Sequence, residues 1–255
     1  MRERIAEEAA VFALAVQFLT RLPLPADPGF TPERLAATPR WYPAVGLLIG
    51  ALTGLAFWLA ALVLPPALAA LLSTAIGLLL TGCFHEDGFA DCCDGLGGGA
   101  TAERALEIMR DSRLGTYGAA GLGLMLGGKI ITLASLPVTL APIALIAGHA
   151  ASRSSAVLVI ATSTYIRHHG TGKPVANGLS RKGLALALLT GVAALATLAL
   201  AAGWASLGAL AGIALGHAAM RARFEKRLGG YTGDCLGAVQ QTSEIGCYLG
   251  LLACL

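Results

Sequence analysis

Residues 68–80 read LAALLSTAIGLLL, and residues 84–95, a few positions later, read FHEDGFADCCDG. The first stretch has no charged residue, whereas the second carries four carboxylates, those of Glu86, Asp87, Asp91 and Asp94. A charged side chain at the centre of a bilayer costs roughly 2.5–3.5 kcal/mol or more. Carboxylates kept beside so apolar a segment are therefore expected to have a function. Holding a divalent cation over a phosphate is the function that suits them best.

The composition of this 255-residue chain is that of an integral membrane protein. Hydrophobic residues make up 56% of the sequence and charged residues 13%, and the mean hydropathy is +0.71. A soluble domain is nearer to half apolar and a quarter charged. We therefore predict an all-α fold, a polytopic transmembrane helix bundle that forms a single domain over residues 1–255.

About seven spans are predicted from hydropathy and from the charge of the connections. Their approximate limits are 42–64, 66–84, 115–135, 141–161, 183–202, 205–222 and 236–255. Connections without charge alternate with connections rich in arginine and lysine. The positive-inside rule places all of the basic connections in the cytoplasm.

The two ends of the chain differ in how well they fit this pattern. Ile5–Leu19 is predicted to be an N-terminal interfacial or re-entrant helix, because spanning would place Arg2 and Arg4 outside. In the last predicted span, Glu244 lies inside the apolar window.

Two glycine stripes at four-residue spacing predict close helix packing. They are Gly46, Gly50 and Gly54, and Gly208, Gly212 and Gly216. Spacing alone leaves open whether they pack within one chain or across a homodimer.

If the acidic run continues the second span as a helix, the positions of its carboxylates around the helix axis can be predicted. At about 100° per residue, Asp91 lies roughly 40° from Asp87 on one side, and Asp94 lies about 20° from Asp87 on the other side. Three carboxylates on one face suit Mg²⁺ or Mn²⁺. Glu86 lies about 100° away, and His85 lies further round. Gly88 either lets a substrate approach the backbone or forms a notch for helix packing.

Two later motifs carry further candidates. The segment 104–118 predicts an amphipathic helix leading into the third span, in which Arg110 and Arg113 could bind a diphosphate and Asp111 a metal ion. The segment 229–237 is a glycine-rich turn that carries Asp234. Either segment alone also fits an ordinary solvated surface.

Several other polar residues have competing interpretations. Lys129 and Arg153 fall within predicted spans, where each either serves a site or pairs with a carboxylate. His149 and His217 are expected to be packing residues, and 167–169 a solvated loop. The six cysteines include no C-x2-C pair, which favours packing over zinc binding.

Taken together and in order, the motifs resemble the cobalamin synthase family, the adenosylcobinamide-GDP ribazoletransferases. The matching segments are FLTRLPLP at 18–25, the run at 85–95, EIMRDSRLGT at 107–116, GYTGD at 230–234 and Leu236-Gly237. Glu86 occupies a position that varies in the family.

The resemblance implies a reaction. A ribose hydroxyl of α-ribazole, or of its 5′-phosphate, attacks the cobinamide-side phosphorus of adenosylcobinamide-GDP, and GMP leaves. Mg²⁺ is the implied cofactor, with Asp87, Asp91 and Asp94 as ligands. The wider set of metal-ligand candidates adds Asp111, Asp234 and Glu86. A carboxylate or His85 accepts the hydroxyl proton.

The resemblance also implies the surroundings of the site. Arg110, Arg113 and Lys129 are candidates for phosphate contact, with Asp111 and Gly88 beside the substrate. The lipid bilayer is expected to be the bacterial inner membrane, and the topology derived from the basic connections places the active site on the cytoplasmic side. A nucleic-acid partner is not expected.

Two rival functions are compatible with membrane-edge carboxylates. A CDP-alcohol phosphotransferase fits Asp91, Asp94 and Gly95, but Gly98-Gly99 replace the Ala-Arg pair of that motif and Asp111 lacks a spaced partner. A cation transporter would carry acidic residues near mid-span on several helices, whereas here they gather at the cytoplasmic ends and in loops.

Overall fold

A computed structural model describes residues 2–24, 29–167, 173–176 and 178–255, with Pro174 described by its backbone only. Its helices are α1 (Arg2–Leu19), α2 (Pro32–Ala37), α3 (Tyr42–Ala61), α4 (Pro66–Thr81), α5 (Phe84–Gly98), α6 (Ala102–Ile108), α7 (Thr116–Ser135), α8 (Ala141–Thr162), α9 (Lys173–Ala176), α10 (Arg181–Ala202), α11 (Ser206–Leu228) and α12 (Gly233–Ala253). Short 3-10 turns precede α3 and α11. The predicted all-α fold is confirmed, since the described residues form no β-strand beyond one isolated bridge.

A helix covers most of each predicted span, but the number of crossings stays a prediction. Among the described residues, four helical stretches are long and apolar enough to cross a membrane, and they are Pro32–Ala61, Thr116–Ser135, Ala141–Thr162 and Arg181–Leu228. The bent pair α4 and α5 makes a fifth if the two form one broken span. The N-terminal segment is helical as predicted, and its placement at an interface is untested.

The stretch Arg181–Leu228 is 48 residues long and folds back on itself. Its first helix, α10, begins at basic residues and passes Ser154 of α8, whose hydroxyl donates to the carbonyl of Ala187. Its second helix, α11, passes the neighbouring Ser155 and then reaches the far end of α8, where Arg221 donates to Thr162. The two helices therefore lie along α8 in opposite directions.

Both glycine stripes pack within the chain. Gly46, Gly50 and Gly54 of α3 lie against the backbone of α8, and Gly208, Gly212 and Gly216 of α11 lie against the backbone of α12. Because both stripes are used internally, they give no support to a homodimer, which remains untested.

The acidic run does not continue the second span, so this part of the prediction is wrong. Helix α4 ends at Thr81, and the chain bends by 91° before α5 begins at Phe84. The bend rests on Gly82 and Cys83, which have left-handed φ values of 61° and 58°. Glycine adopts this conformation without steric cost and commonly ends helices this way.

The basic connections meet at one end of the bundle, here called the basic edge. It comprises α5 beyond the bend, the start of α7, the end of α8, the end of α11 and the start of α12. The backbone N–H of Tyr231 donates to Thr164 and that of Ile166 to Tyr231, which joins the segment after α8 to the segment before α12. Arg227 donates to the carbonyls of Gly99 and Ala100, at 2.7 Å each, and so ties α11 to the end of α5.

The glycine contact between α11 and α12 gives a stability prediction. A methyl group at Gly246 would collide with the carbonyl oxygen of Gly212. We expect Gly246→Ala to lower the free energy of unfolding by about 1–3 kcal/mol, since neither backbone can move aside cheaply. Thermal unfolding in detergent measures the effect.

Gly127→Ala is the matched control, because a methyl group at Gly127 meets no atom within 4 Å. It should leave the melting temperature unchanged or raise it slightly, since alanine favours a helix over glycine. Equal melting temperatures for the two variants would contradict this packing.

Candidate active site at the α5–α12 crossing

Helices α5 and α12 touch at two glycines. A methyl group at Gly88 would lie 2.9 Å from the Cα atom of Asp234, and one at Gly237 would lie 2.9 Å from the carbonyl oxygen of His85. Beside them, the sulfur atoms of Cys92 and Cys235 lie 3.9 Å apart. For Gly88, the structure therefore supports a role in helix packing, and substrate contact at this residue stays a prediction.

This crossing brings carboxylates from two distant parts of the sequence together. Asp87 is exposed and Asp91 half-buried on α5, and Asp234 lies in the first turn of α12. Partial burial, followed by the charges of Asp234 and Asp87, raises the pKa of Asp91 to about 7, against the lowering effect of Arg167. Carboxylates that repel one another in this way are favourable partners for a divalent cation.

Arg167 belongs to the site, although its segment was predicted to be a solvated loop. Its guanidinium lies 2.8 Å from the carboxylate of Asp234, and it is mostly buried. The bridge between Tyr165 and Tyr231 sets this position by pairing the two loops. The following His168 and His169 lie outside the described residues. No local sequence pattern signals a pairing between loops so far apart in the chain.

Asp94 has a structural partner of its own. Its carboxylate accepts hydrogen bonds from the backbone N–H groups of Gly115 and Gly118, both at 2.8 Å. These groups begin α7, and a carboxylate at a helix N-terminus satisfies free donors and complements the helix dipole. Asp94 thus fixes α7 against α5, and its predicted role as a metal ligand stays untested.

The loop between α6 and α7 carries the next three predicted residues. Asp111 pairs with Arg113, with 2.6 Å between the closest atoms, and both are solvent-accessible. Hydrogen bonds from Arg113 lower the pKa of Asp111 to about 2. Arg110 is exposed. Since the loop ends at Gly115, which binds Asp94, these side chains lie on a segment anchored to α5.

Glu86 and His85 lie on the other side of α5, in the protein interior. Glu86 accepts a hydrogen bond of 2.8 Å from Gln241 of α12, and both residues are buried. Lys129 of α7 lies in the same interior, where it pairs with Glu244 at 2.8 Å. For Lys129 the structure therefore supports the structural-pair interpretation, and its contact with phosphate stays a prediction.

Glu244 is the centre of this interior network. His149 lies 3.1 Å from its second oxygen, and Gln240 donates to the same oxygen at 2.6 Å. Arg153 donates to the carbonyl of His149 at 2.9 Å. Glu244 and Glu86 thus lie deep in the bundle, so the prediction that acidic residues gather at helix ends and in loops is wrong for these two.

A small cavity of about 20 Å³ adjoins the network. Three side-chain atoms without a hydrogen-bond partner belong to residues that line it, namely Thr74 Oγ1, Glu86 Oε2 and Arg153 Nε. The volume suits a single water molecule, which such polar groups would bind.

The predicted metal ligands do not form one group. In the part of the chain that the structure describes, no three histidine, cysteine, aspartate or glutamate side chains lie close enough to hold a metal ion. Asp87, Asp91 and Asp234 nevertheless supply the hard oxygen donors that Mg²⁺ takes, and Mg²⁺ usually keeps waters and substrate phosphates as its other ligands. Their chemistry fits the ion, and all six cysteines are free and outside any such group.

Comparison with known proteins shows the family of the chain. The family model described as cobalamin-5-phosphate synthase matches residues 11–252. No solved structure matches the chain. An adenosylcobinamide-GDP ribazoletransferase of Leptothrix cholodnii is 48% identical over 96% of each chain. Proteins of the same name from Shewanella frigidimarina and Ralstonia nicotianae are 42% and 44% identical, over 95% and 91% of this chain and 94% and 90% of theirs. The chain therefore belongs to the cobalamin-5-phosphate synthase family of transferases.

Proposed function

We propose that this transferase joins adenosylcobinamide-GDP to α-ribazole, or to its 5′-phosphate, at the α5–α12 crossing. The observation that carries the assignment to this place is the juxtaposition of Asp87 and Asp91 with Asp234. The substrates are those in the names of the relatives. The products are cobalamin, or its 5′-phosphate, and GMP.

Magnesium is part of the proposal. Asp87, Asp91 and Asp234 are the proposed ligands, and because these side chains are not within joint coordinating distance of one point, they would have to close around the ion. The diphosphate of the substrate would supply further oxygens. When bound, Mg²⁺ would neutralise charge on the diphosphate and on the leaving GMP. Asp94 is a less direct candidate because both of its carboxylate oxygens already accept hydrogen bonds from α7.

The chain's own residues would position the reactants around these carboxylates. Arg110 and Arg113, on the loop anchored by Asp94, are proposed to contact the diphosphate, and Arg113 would exchange its pairing with Asp111 for phosphate oxygens. A carboxylate oxygen of the crossing that the ion leaves free would accept the ribose hydroxyl proton. His85 is the alternative base, although it lies in the buried network.

The orientation in the membrane is also proposed. The positive-inside rule places the basic edge, and with it the aspartates, on the cytoplasmic side of the bacterial inner membrane. Both soluble reactants would then reach the site without crossing the bilayer.

A direct assay tests the proposed reaction. Washed membranes containing the protein are supplied with adenosylcobinamide-GDP and α-ribazole, with and without Mg²⁺, and GMP and cobalamin are followed by chromatography. We expect both products only with Mg²⁺, and we expect Asp91→Asn to reduce turnover by roughly 100-fold or more, since a neutral amide cannot neutralise the cation.

Glu103→Gln is the matched control, because it removes one carboxylate charge from the exposed first turn of α6. It should retain the wild-type rate. Near-normal turnover by folded, membrane-inserted Asp91→Asn would exclude Asp91 as a required ligand or base.

The raised pKa of Asp91 predicts a pH-dependent magnesium requirement. Only the carboxylate binds Mg²⁺, so protons compete with the cation below a pH of about 7. The half-saturating Mg²⁺ concentration should be roughly tenfold higher at pH 6 than at pH 8, as the ionised fraction falls from about 0.9 to about 0.1. The acceptor in this assay is α-ribazole and not its 5′-phosphate, because a phosphate monoester titrates near pH 6 and would add a pH dependence of its own. A half-saturating concentration that is the same at both pH values would contradict the assignment.

A further inference from the structure

A second and larger cleft opens at the basic edge, apart from the aspartates. Its volume is about 590 Å³, within the range of small-molecule binding sites, and it lies between α5, α7 and α11. Its lining residues are apolar or basic, and they are Cys92, Cys93, Leu96, Gly97, Tyr117, Met220, Arg223, Lys226 and Arg227. None of them carries a negative charge.

On α5, most of the cleft lining lies on the face opposite to Asp87, Asp91 and Asp94. At about 100° per residue, Cys93 and Leu96 lie roughly 200° and 140° round the helix from Asp91. Asp87 and Asp94, in contrast, lie within roughly 60° of Asp91. Cys92, at the edge of the cleft nearest the crossing, lies about 100° from Asp91. No aspartate of the crossing lines the cleft.

Two of the cations in the cleft have no ionic partner among the residues that the structure describes. Arg223 and Lys226 are exposed and form no salt bridge within the described part of the chain. The nearby acid, Glu225, points to another face of α11, where it pairs with Arg221 at 2.9 Å. Arg227 is held by the carbonyls of Gly99 and Ala100. The cleft is thus a preformed positive site at the basic edge.

The walls of the cleft continue as apolar surface along both helices. Leu124 follows Tyr117 by seven residues on the same face of α7 and is 79% exposed. Leu215 precedes Lys226 by eleven residues on the same face of α11 and is 70% exposed. A molecule with an anionic head and long apolar chains matches both parts of this surface.

We propose that the cleft binds an anionic phospholipid, with its phosphodiester against Arg223 and Lys226 and its acyl chains along the exposed leucines of α7 and α11. Clustered basic residues at the end of membrane helices attract anionic headgroups. Tyr117 is exposed in the first turn of α7, and aromatic side chains at the ends of membrane helices favour the interface. The site is independent of the proposed reaction, because no aspartate of the crossing lines it.

The test compares lipid retention by the full-length protein. Protein reconstituted in nanodiscs of phosphatidylcholine with 30% phosphatidylglycerol is extracted with mild detergent, and bound lipids are counted by native mass spectrometry. We expect wild type to retain phosphatidylglycerol selectively, and the double variant Arg223→Gln/Lys226→Gln to retain it roughly tenfold less well. Thermal unfolding in detergent confirms that the variant is folded.

The double variant Arg181→Gln/Lys182→Gln is the matched control, since it removes two exposed cations from the start of α10, which does not line the cleft. It should retain phosphatidylglycerol as wild type does. Equal retention by both double variants would overturn the proposal. Displacement of the lipid by millimolar inorganic phosphate or GDP would also overturn it, because the cleft would then be a site for soluble anions. If wild type and the control form a dimer that Arg223→Gln/Lys226→Gln loses, the occupant of the cleft is a second copy of the chain, and the lipid proposal is overturned.

Discussion

The contact between α5 and α12 is the constraint on which the candidate site depends. Two backbones approach so closely at Gly88 and Gly237 that a methyl group at either position would meet the opposite chain. This approach places the aspartates of α5 beside Asp234, so carboxylates that are distant in the sequence act on one another electrostatically. Their mutual repulsion opposes the crossing, so the helices must be held together by other interactions.

Three sets of contacts hold α5 in place. Near its start, Glu86 bonds to Gln241 and joins the network centred on Glu244 and Lys129. In its second half, Asp94 caps α7. At its end, Arg227 of α11 binds the carbonyls of the residues that follow it. The residues of the acidic run thus have different roles. Glu86 and Asp94 hold the helix in place, while Asp87 and Asp91 remain available to a cation.

Much of this arrangement could be predicted from the sequence. Hydropathy predicts the helices, and helical periodicity predicts that Asp87 and Asp91 share a face. The bend before α5 has a local signal in Gly82, yet the left-handed conformation of Cys83 has none. The partners of Asp94, Glu86 and Lys129 could not be predicted, because each contact joins helices whose relative rotation is set by packing. Arg167 was missed for the same reason, since only the pairing of two loops brings it to Asp234.

Division of the site between α5 and α12 also explains why the family motifs are far apart in the chain. The run at 85–95 supplies one side, the loop after α6 is anchored to it, and the segment at 230–237 supplies the other side. Each motif alone fits a solvated surface or a packing notch. The proposed binding of a diphosphate and a divalent cation rests on the convergence of these motifs at the basic edge.

The most direct test of this account is a double-mutant cycle on Mn²⁺ binding, measured by electron paramagnetic resonance on the purified protein. The four proteins are wild type, Asp91→Asn, Asp234→Asn and the double variant. If both carboxylates serve one ion, each single change weakens binding and the second change adds much less than the first, with a coupling of about 0.5–3 kcal/mol. If the fold-changes in the Mn²⁺ dissociation constant of the two single variants simply multiply in the double variant, the two positions are not coupled, and a shared site at the α5–α12 crossing is contradicted.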